Sequence, residues 1–128
     1  MSRLSFANRT VVVTGAASGL GRALARRLAG VEKAHLILAD CRADRLETLR
    51  EEIEAAYPSR VRTITVDLGS AGGAKFLFEK ATAESDIFAL VNNAGLSFYG
   101  KTLDRPFDEY RELIQVNCLT VFETTAAG

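Results

Sequence analysis

The sequence predicts an α/β fold: a doubly wound parallel sheet with helices on both faces. Three observations carry that prediction. Short β-branched runs alternate with amphipathic stretches in the order βαβαβαβα, which favours parallel strands joined by right-handed crossovers. A glycine-rich loop, TGAASGLG from Thr14 to Gly21, joins the first strand to the first helix. Two aspartates, Asp40 and Asp67, close the second and third strands. With 128 residues and 48% hydrophobic content, the chain is sized for one domain.

The elements follow in order. Residues 11–14 read as a strand on their run of valines. Residues 19–28 read as a helix, with Leu20, Leu24 and Leu28 expected inward and Arg22, Arg26 and Arg27 outward. Residues 35–39 give the second strand, opened by His35, a structural histidine at the end opposite the glycine loop. From Arg42 or Asp44 to Tyr57 the pattern is helical, with Leu46, Leu49, Ile53 and Tyr57 inward. There Asp44 and Glu47 have capping-box spacing and Pro58 closes the helix. Residues 61–66 form the third strand, and Ser70 caps a helix carrying Ala74, Leu77, Phe78 and Ala81. Residues 87–92 form a fourth strand, apolar as a strand covered on both faces must be. Residue 107 to about 127 reads as one long helix with the stripe Tyr110, Leu113, Ile114, Asn117, Cys118, Val121 and Phe122.

Composition narrows the function. Sixteen basic residues balance sixteen acidic ones, so nothing argues for nucleic acid or an anionic membrane surface. Cys41 and Cys118 lack the spacing of a disulfide scaffold or a zinc site and read as free thiols. The amino terminus has no apolar leader core, and residues 87–91, the longest apolar run, are far too short to span a bilayer. A soluble, cytoplasmic protein is expected.

The glycine loop lies at the carboxyl end of a strand and opens a helix, where free backbone N–H groups and the helix dipole hold phosphate. Gly15 allows the turn, Gly19 lets a pyrophosphate approach the main chain, and Gly21 lets the helix lie close on the sheet. Asp40 falls where a carboxylate accepts from ribose hydroxyls, about 20 residues past the last glycine. Asp67 ends the third strand on the same rim, as a ligand residue or as a turn aspartate. Asn117 interrupts an apolar helix face, and an unpartnered buried amide costs about 1–3 kcal/mol. It therefore needs a specific partner, either as part of a polar site or as a packing amide tying helix to sheet.

These residues carry a resemblance. TGAASGLG is similar to the TGxxxGxG fingerprint of the short-chain dehydrogenase/reductase family, Asn92-Asn93-Ala94-Gly95 to its NNAG motif, and Val116-Asn117 to the site of its helix asparagine. The resemblance runs end to end and implies a Rossmann fold over residues 1–128, with expected strand order 3-2-1-4. It further implies a nicotinamide dinucleotide and hydride transfer between a small-molecule alcohol and a carbonyl. Thr14, Gly15, Ser18, Gly19, Leu20 and Gly21 would line the pyrophosphate, Asp40 the adenosine ribose, Asp67 and Leu68 the adenine, and Asn93, Ala94 and Gly95 the cofactor beside strand four. Asn92 and Asn93 serve equally well as ties between strands. Asn117 would belong to the catalytic tetrad. No metal is implied.

An aspartate at position 40 repels a 2′-phosphate, and residues 16–18 offer no cation, so NAD is expected over NADP; Arg42 and Arg22 are the cations that would admit NADP. The family's remaining tetrad members, a serine and a Tyr-x-x-x-Lys pair, have no counterpart among these 128 residues. The chain is thus expected to be the cofactor-binding, amino-terminal part of an oxidoreductase, inactive by itself. A non-catalytic nucleotide-binding or regulatory module is the alternative, and a methyltransferase binding S-adenosylmethionine a third reading. The loop 96–103, with Phe98 and Tyr99, is the segment placed to touch substrate. An uncovered fourth strand and last helix imply a homodimer or higher homo-oligomer.

Overall fold

The computed structural model describes residues 4–96 and 105–127; Ser97, Phe98, Tyr99 and Lys101 lie outside them. The elements are β1 (Thr10–Thr14), α1 (Gly19–Gly30), β2 (His35–Asp40), α2 (Ala43–Ala56), β3 (Val61–Thr65), α3 (Gly73–Thr82), β4 (Ile87–Val91), α4 (Phe107–Ile114), a π-helical turn (Gln115–Leu119) and α5 (Thr120–Ala127). The strands form one parallel sheet in the expected order, β3-β2-β1-β4.

Alternation along the strands makes two cores. Val11, Val13, Leu36 and Leu38 pack against Ala25 and Leu28 of α1 and Leu46, Leu49 and Ile53 of α2. Val12, Ile37 and Ile64 face the other way, onto Leu77 and Ala81 of α3. Fully burying each of these larger aliphatic side chains contributes about 1.5–3 kcal/mol. With helices on both faces, every β-to-α connection emerges on the same rim of the sheet.

Several local expectations are corrected. Leu20 is 82% exposed; the inward face of α1 is Gly21, Ala25, Leu28 and Ala29. The helix lies too close to the sheet for anything larger at its start, and Leu20 sits about 100° around the axis from Gly21. The Asp44–Glu47 capping box does not form. Arg42 occupies the cap position because its own N–H is held by Asp40, and Glu47 pairs with Arg50 instead. Ser70 does not cap α3: its hydroxyl donates to the Asp67 carbonyl at 2.6 Å, and the helix starts after Gly72. β4 is half-buried throughout rather than covered, since among the described residues it pairs only with β1.

The last helix differs most. The π turn adds a residue to one turn and shifts the phase of the stripe. Val116, Thr120 and Thr124 therefore face inward, while Ile114, Cys118 and Phe122 are exposed. Phe107, Ile114, Leu119 and Phe122 leave an apolar surface on α4, the π turn and α5.

Candidate functional site

At the head of α1 the backbone is shaped by two close approaches. Gly15 has φ +64°, and a methyl there would stand 2.8 Å from the Ala94 Cα. A methyl on Gly21 would run into the Gly15 carbonyl and the Asn93 amide. The turn then leaves donors exposed. Ala16 N–H donates to the Ala39 carbonyl and Ala17 N–H to Asp40, while the N–H groups of Gly19, Leu20 and Gly21 have no partner among the described residues. Ser18 is a suitable capping residue by type, yet its extended backbone (φ −155°) makes no cap, and the first turn carries no acid. Its hydroxyl instead accepts from Arg42 Nη2 at 2.9 Å. The positive end of the helix is left open to an anion.

Asp40 ends β2 with its side chain only 4% exposed. Oδ1 accepts from Arg42 N–H at 3.1 Å and Nε at 3.0 Å; Oδ2 accepts from Ala17 N–H at 3.1 Å and Arg42 Nη2 at 3.3 Å. Burial alone would raise its pKa; the hydrogen bonds from Arg42 and Ala17 outweigh that and hold the carboxyl below its ordinary value. A carboxyl depressed by folding contributes stability above its unfolded pKa, about 3.9, and loses it as pH falls through the folded value. The Asp40→Asn chain is accordingly expected to show a shallower fall in melting temperature than the parent between about pH 4.5 and pH 3. Beside it, burial and then the Asp40 charge push the Cys41 thiol up, leaving it protonated at neutral pH.

A second cluster joins β1 to the end of β4. Thr14 Oγ1, buried at 1% exposure, accepts from the N–H groups of Asn93 and Ala94 at 3.0 Å each and donates to the Val91 carbonyl at 3.3 Å. Asn93 Nδ2 donates to the Gly15 carbonyl, and Asn92 Oδ1 accepts from Thr124, so both asparagines act as ties. Asn117, in the π turn, accepts from Leu96 N–H and donates to the Leu96 carbonyl, both at 2.7 Å. Its specific partner is thus the backbone leaving β4. Replacing Asn117 by leucine strands both Leu96 groups, at about 1–3 kcal/mol each; urea unfolding should register a loss of about 2–4 kcal/mol, and an unchanged midpoint would contradict this role.

Gly15, Ser18, Asp40, Asp67, Leu68, Asn93, Ala94 and Gly95 line one cleft of about 450 Å³, joined by Cys41, Arg42, Val66, Leu96, Glu112 and Val116. Thr14 lies beneath it, while Gly19, Leu20, Gly21 and Asn117 are not among its walls. Asp67 is an exposed turn aspartate whose Oδ1 accepts from Gly69 N–H at 2.8 Å. Leu68 is buried, its carbonyl held by Thr120 Oγ1 at 2.7 Å. Sequence reasoning missed Arg42's double grip on Asp40 and Ser18; the Asp-x-Arg spacing at a strand end was the available signal. Arg22, the other expected cation, is bound to Glu52 at 2.7 Å, a carboxylate it shares with Arg26. His35 lies at the far end of the sheet, where its Nδ1 accepts from Arg60 N–H. Among the described residues no cluster suits a metal ion, and no helix is long and apolar enough to cross a membrane.

Comparison with known proteins supplies a wider frame. The family model described as short chain dehydrogenase matches residues 9–128. The NADP-dependent 3-hydroxy acid dehydrogenase of Schizosaccharomyces pombe is 34% identical over 129 residues, covering 99% of this chain and 49% of the relative. This chain therefore spans about half the length of that relative. A short-chain dehydrogenase from Sphingobium yanoikuyae, solved in complex with NADPH, superposes with TM-score 0.86 at 26% identity, covering 93% of this chain and 46% of that one. An alcohol dehydrogenase from the archaeon Thermococcus sibiricus, complexed with 5-hydroxy-NADP, gives TM-score 0.85 at 31% identity, covering 93% and 51%.

Proposed function

The chain belongs to the short-chain dehydrogenase family, and from that premise we propose that it is the dinucleotide-binding part of an NAD(P)-dependent oxidoreductase acting on a small-molecule alcohol or carbonyl. The observation that carries this is the open head of α1, where three N–H groups have no partner among the described residues and the cap residue is turned away.

In this reading the diphosphate lies against the N–H groups of Gly19, Leu20 and Gly21, with Ser18 beside it and Gly15 and Thr14 shaping the turn. The adenosine ribose reaches the Asp40 corner, the adenine rests near Asp67 and Leu68, and the nicotinamide end passes Asn93, Ala94 and Gly95. Bound there, the coenzyme supplies the hydride acceptor or donor; the residues of this chain bind and orient it. Because the Asn117 amide is committed to Leu96 at both ends, Asn117 acts as a positioning residue that fixes the loop leaving β4.

Coenzyme choice departs from the expectation based on Asp40's charge alone. That argument took the carboxylate as free, whereas Arg42 clasps it. The NADP named for the fission yeast enzyme and the NADPH held by the Sphingobium one support the phosphorylated form here. A cytoplasmic location and self-association belong to the same reading. The exposed Phe107, Ile114, Leu119 and Phe122 favour a homodimer, and light scattering after size exclusion should give twice the chain mass; a monomer at high concentration would contradict it.

Calorimetric titration with ADP-ribose, NAD, NADP and S-adenosylmethionine tests the proposal. Heat with the first three and none with the methyl donor is expected; the reverse pattern removes the oxidoreductase reading.

A further inference from the structure

We propose that the rim of the sheet opposite the glycine turn carries a second ligand site, in which Arg9, His35 and Arg60 take a small dicarboxylate. A ligand there touches no part of the glycine turn, because the five residues of β1 separate the two rims by about 15 Å.

In a parallel sheet every strand starts on the same rim. The order β3-β2-β1-β4 therefore sets Arg60, His35, Arg9 and Asp86 side by side, each at or just before the first residue of its strand. All four are walls of one cleft of about 590 Å³, a volume within the range of small-molecule sites.

Hydrogen bonds fix the three basic residues against one another. His35 N–H donates to the Arg9 carbonyl at 2.9 Å, Arg60 N–H donates to His35 Nδ1 at 3.0 Å, and the Arg60 carbonyl accepts from Leu36 N–H at 2.9 Å. Asn8 and Lys33 both hold left-handed backbone at φ +58°, and Asn8 N–H donates to the Lys33 carbonyl, which locks together the turns that lead into Arg9 and His35. Neighbouring strands lie about 4.8 Å apart, so the Arg9 and Arg60 backbones stand about 10 Å apart with His35 between them.

Their side chains are left to donate. Because Nδ1 accepts, the His35 ring carries its hydrogen on Nε2. The Arg9 guanidinium lies over the Phe88 ring, 4.3 Å from its centroid, and that stacking leaves the N–H edge of the fork for a ligand. Among the described residues neither Arg9 nor Arg60 has an ion pair. The charges of the adjoining groove are spent instead, Arg62 on Glu84 and Glu54 on Arg50.

Each guanidinium fork matches one carboxylate. Phe88 belongs to β4, on the far side of β1 from Arg60, so the ring keeps the Arg9 fork apart from the Arg60 fork. Two separated forks with an N–H donor between them suit an anion whose charges are also separated, which is a short-chain diacid. A phosphate would have to draw both arms to one point and take Arg9 off its ring. Asp86 is the one acid among the cleft's described walls. It stands beyond Arg9 from His35, where it weakens the site without occupying it.

Amide spectra of the isotope-labelled chain, titrated with glutarate, acetate and inorganic phosphate at constant ionic strength, test this. Saturable shifts of Arg9, His35 and Arg60 are expected with glutarate, at an affinity about tenfold above acetate and above phosphate. Arg9→Gln and Arg60→Gln should each weaken glutarate about tenfold, the scale of one charge-assisted contact, and remove its advantage over acetate. Asp86→Asn should strengthen it about twofold. Should Arg9→Gln fail to fold, Arg60→Gln decides, since Arg60 is exposed and holds its neighbours through its main chain. Equal affinity for glutarate and acetate, or undiminished glutarate binding by Arg60→Gln, would mean a charged rim without a site and overturns the proposal. Tighter binding of phosphate overturns it as well, by assigning the cleft to a compact anion. The dinucleotide reading survives each of these results, because it is decided at the head of α1.

Discussion

Gly21→Ala is expected to abolish nucleotide binding and to lower stability by about 3 kcal/mol, the upper end of ordinary overpacking penalties. The added methyl meets the Gly15 backbone carbonyl and the side-chain amide of Asn93. Neither is free to yield. Gly15 is fixed at φ +64° against Ala94, and Asn93 is tied to Thr14 and Gly15. Relief requires α1 to move off the sheet, and the open N–H groups at its head move with it. For a domain of this size the melting temperature should fall by roughly 10 °C. Gly19→Ala is the control, because a methyl at Gly19 meets nothing within 4 Å. Its left-handed φ of +56° costs only about 1–2 kcal/mol, so fold should survive while binding weakens. Equal melting temperatures for Gly21→Ala and the parent would refute the close-approach argument.

Thr14→Val should be nearly as damaging, although the two side chains have almost the same shape. The lost hydroxyl strands the half-buried Ala94 N–H, while the Asn93 N–H and the Val91 carbonyl keep only their bond to each other at 3.0 Å. At about 1–3 kcal/mol for the stranded group, the expected loss is about 2 kcal/mol in urea unfolding. The loop at the end of β4 should loosen from the glycine turn, and nucleotide affinity should fall with it. Thr14→Ser keeps the oxygen and should recover most of both. A valine variant as stable as the parent would mean that this hub does not join β1 to β4.

Much of this was legible in the sequence, for identifiable reasons. Strand positions such as Val11 to Val13 and Leu36 to Leu38 have no physical alternative to burial between two helical layers, so the parallel sheet followed from the alternation of elements, while its strand order came from the family resemblance. The residues brought to one cleft, from Gly15 to Gly95, were marked by strand ends and by glycine. Legibility failed where a side chain had two competing uses. Asp44 and Ser70 have good capping chemistry, yet Asp40 sets the start of α2, and the Asp67 turn takes the Ser70 hydroxyl. Leu20 follows the helical period, but the period's phase is set by how closely Gly21 approaches the sheet. The π turn at Gln115–Leu119 adds a residue that no period of 3.6 contains, which turned Ile114 and Phe122 outward. Asp40 was located by its spacing, while its occupation by Arg42 depended on a side-chain geometry that spacing does not encode.

Everything proposed for this chain requires that a diphosphate be gripped by main-chain donors at the head of α1. Amide spectra of isotope-labelled protein titrated with ADP-ribose test this residue by residue. Saturable shifts centred on Gly19, Leu20 and Gly21, extending to Ala17 and Asp40, are the predicted result. Shifts centred instead on Arg9, His35 and Arg60, at the polar cleft on the opposite rim of the sheet, or no shifts at millimolar ligand, would contradict it.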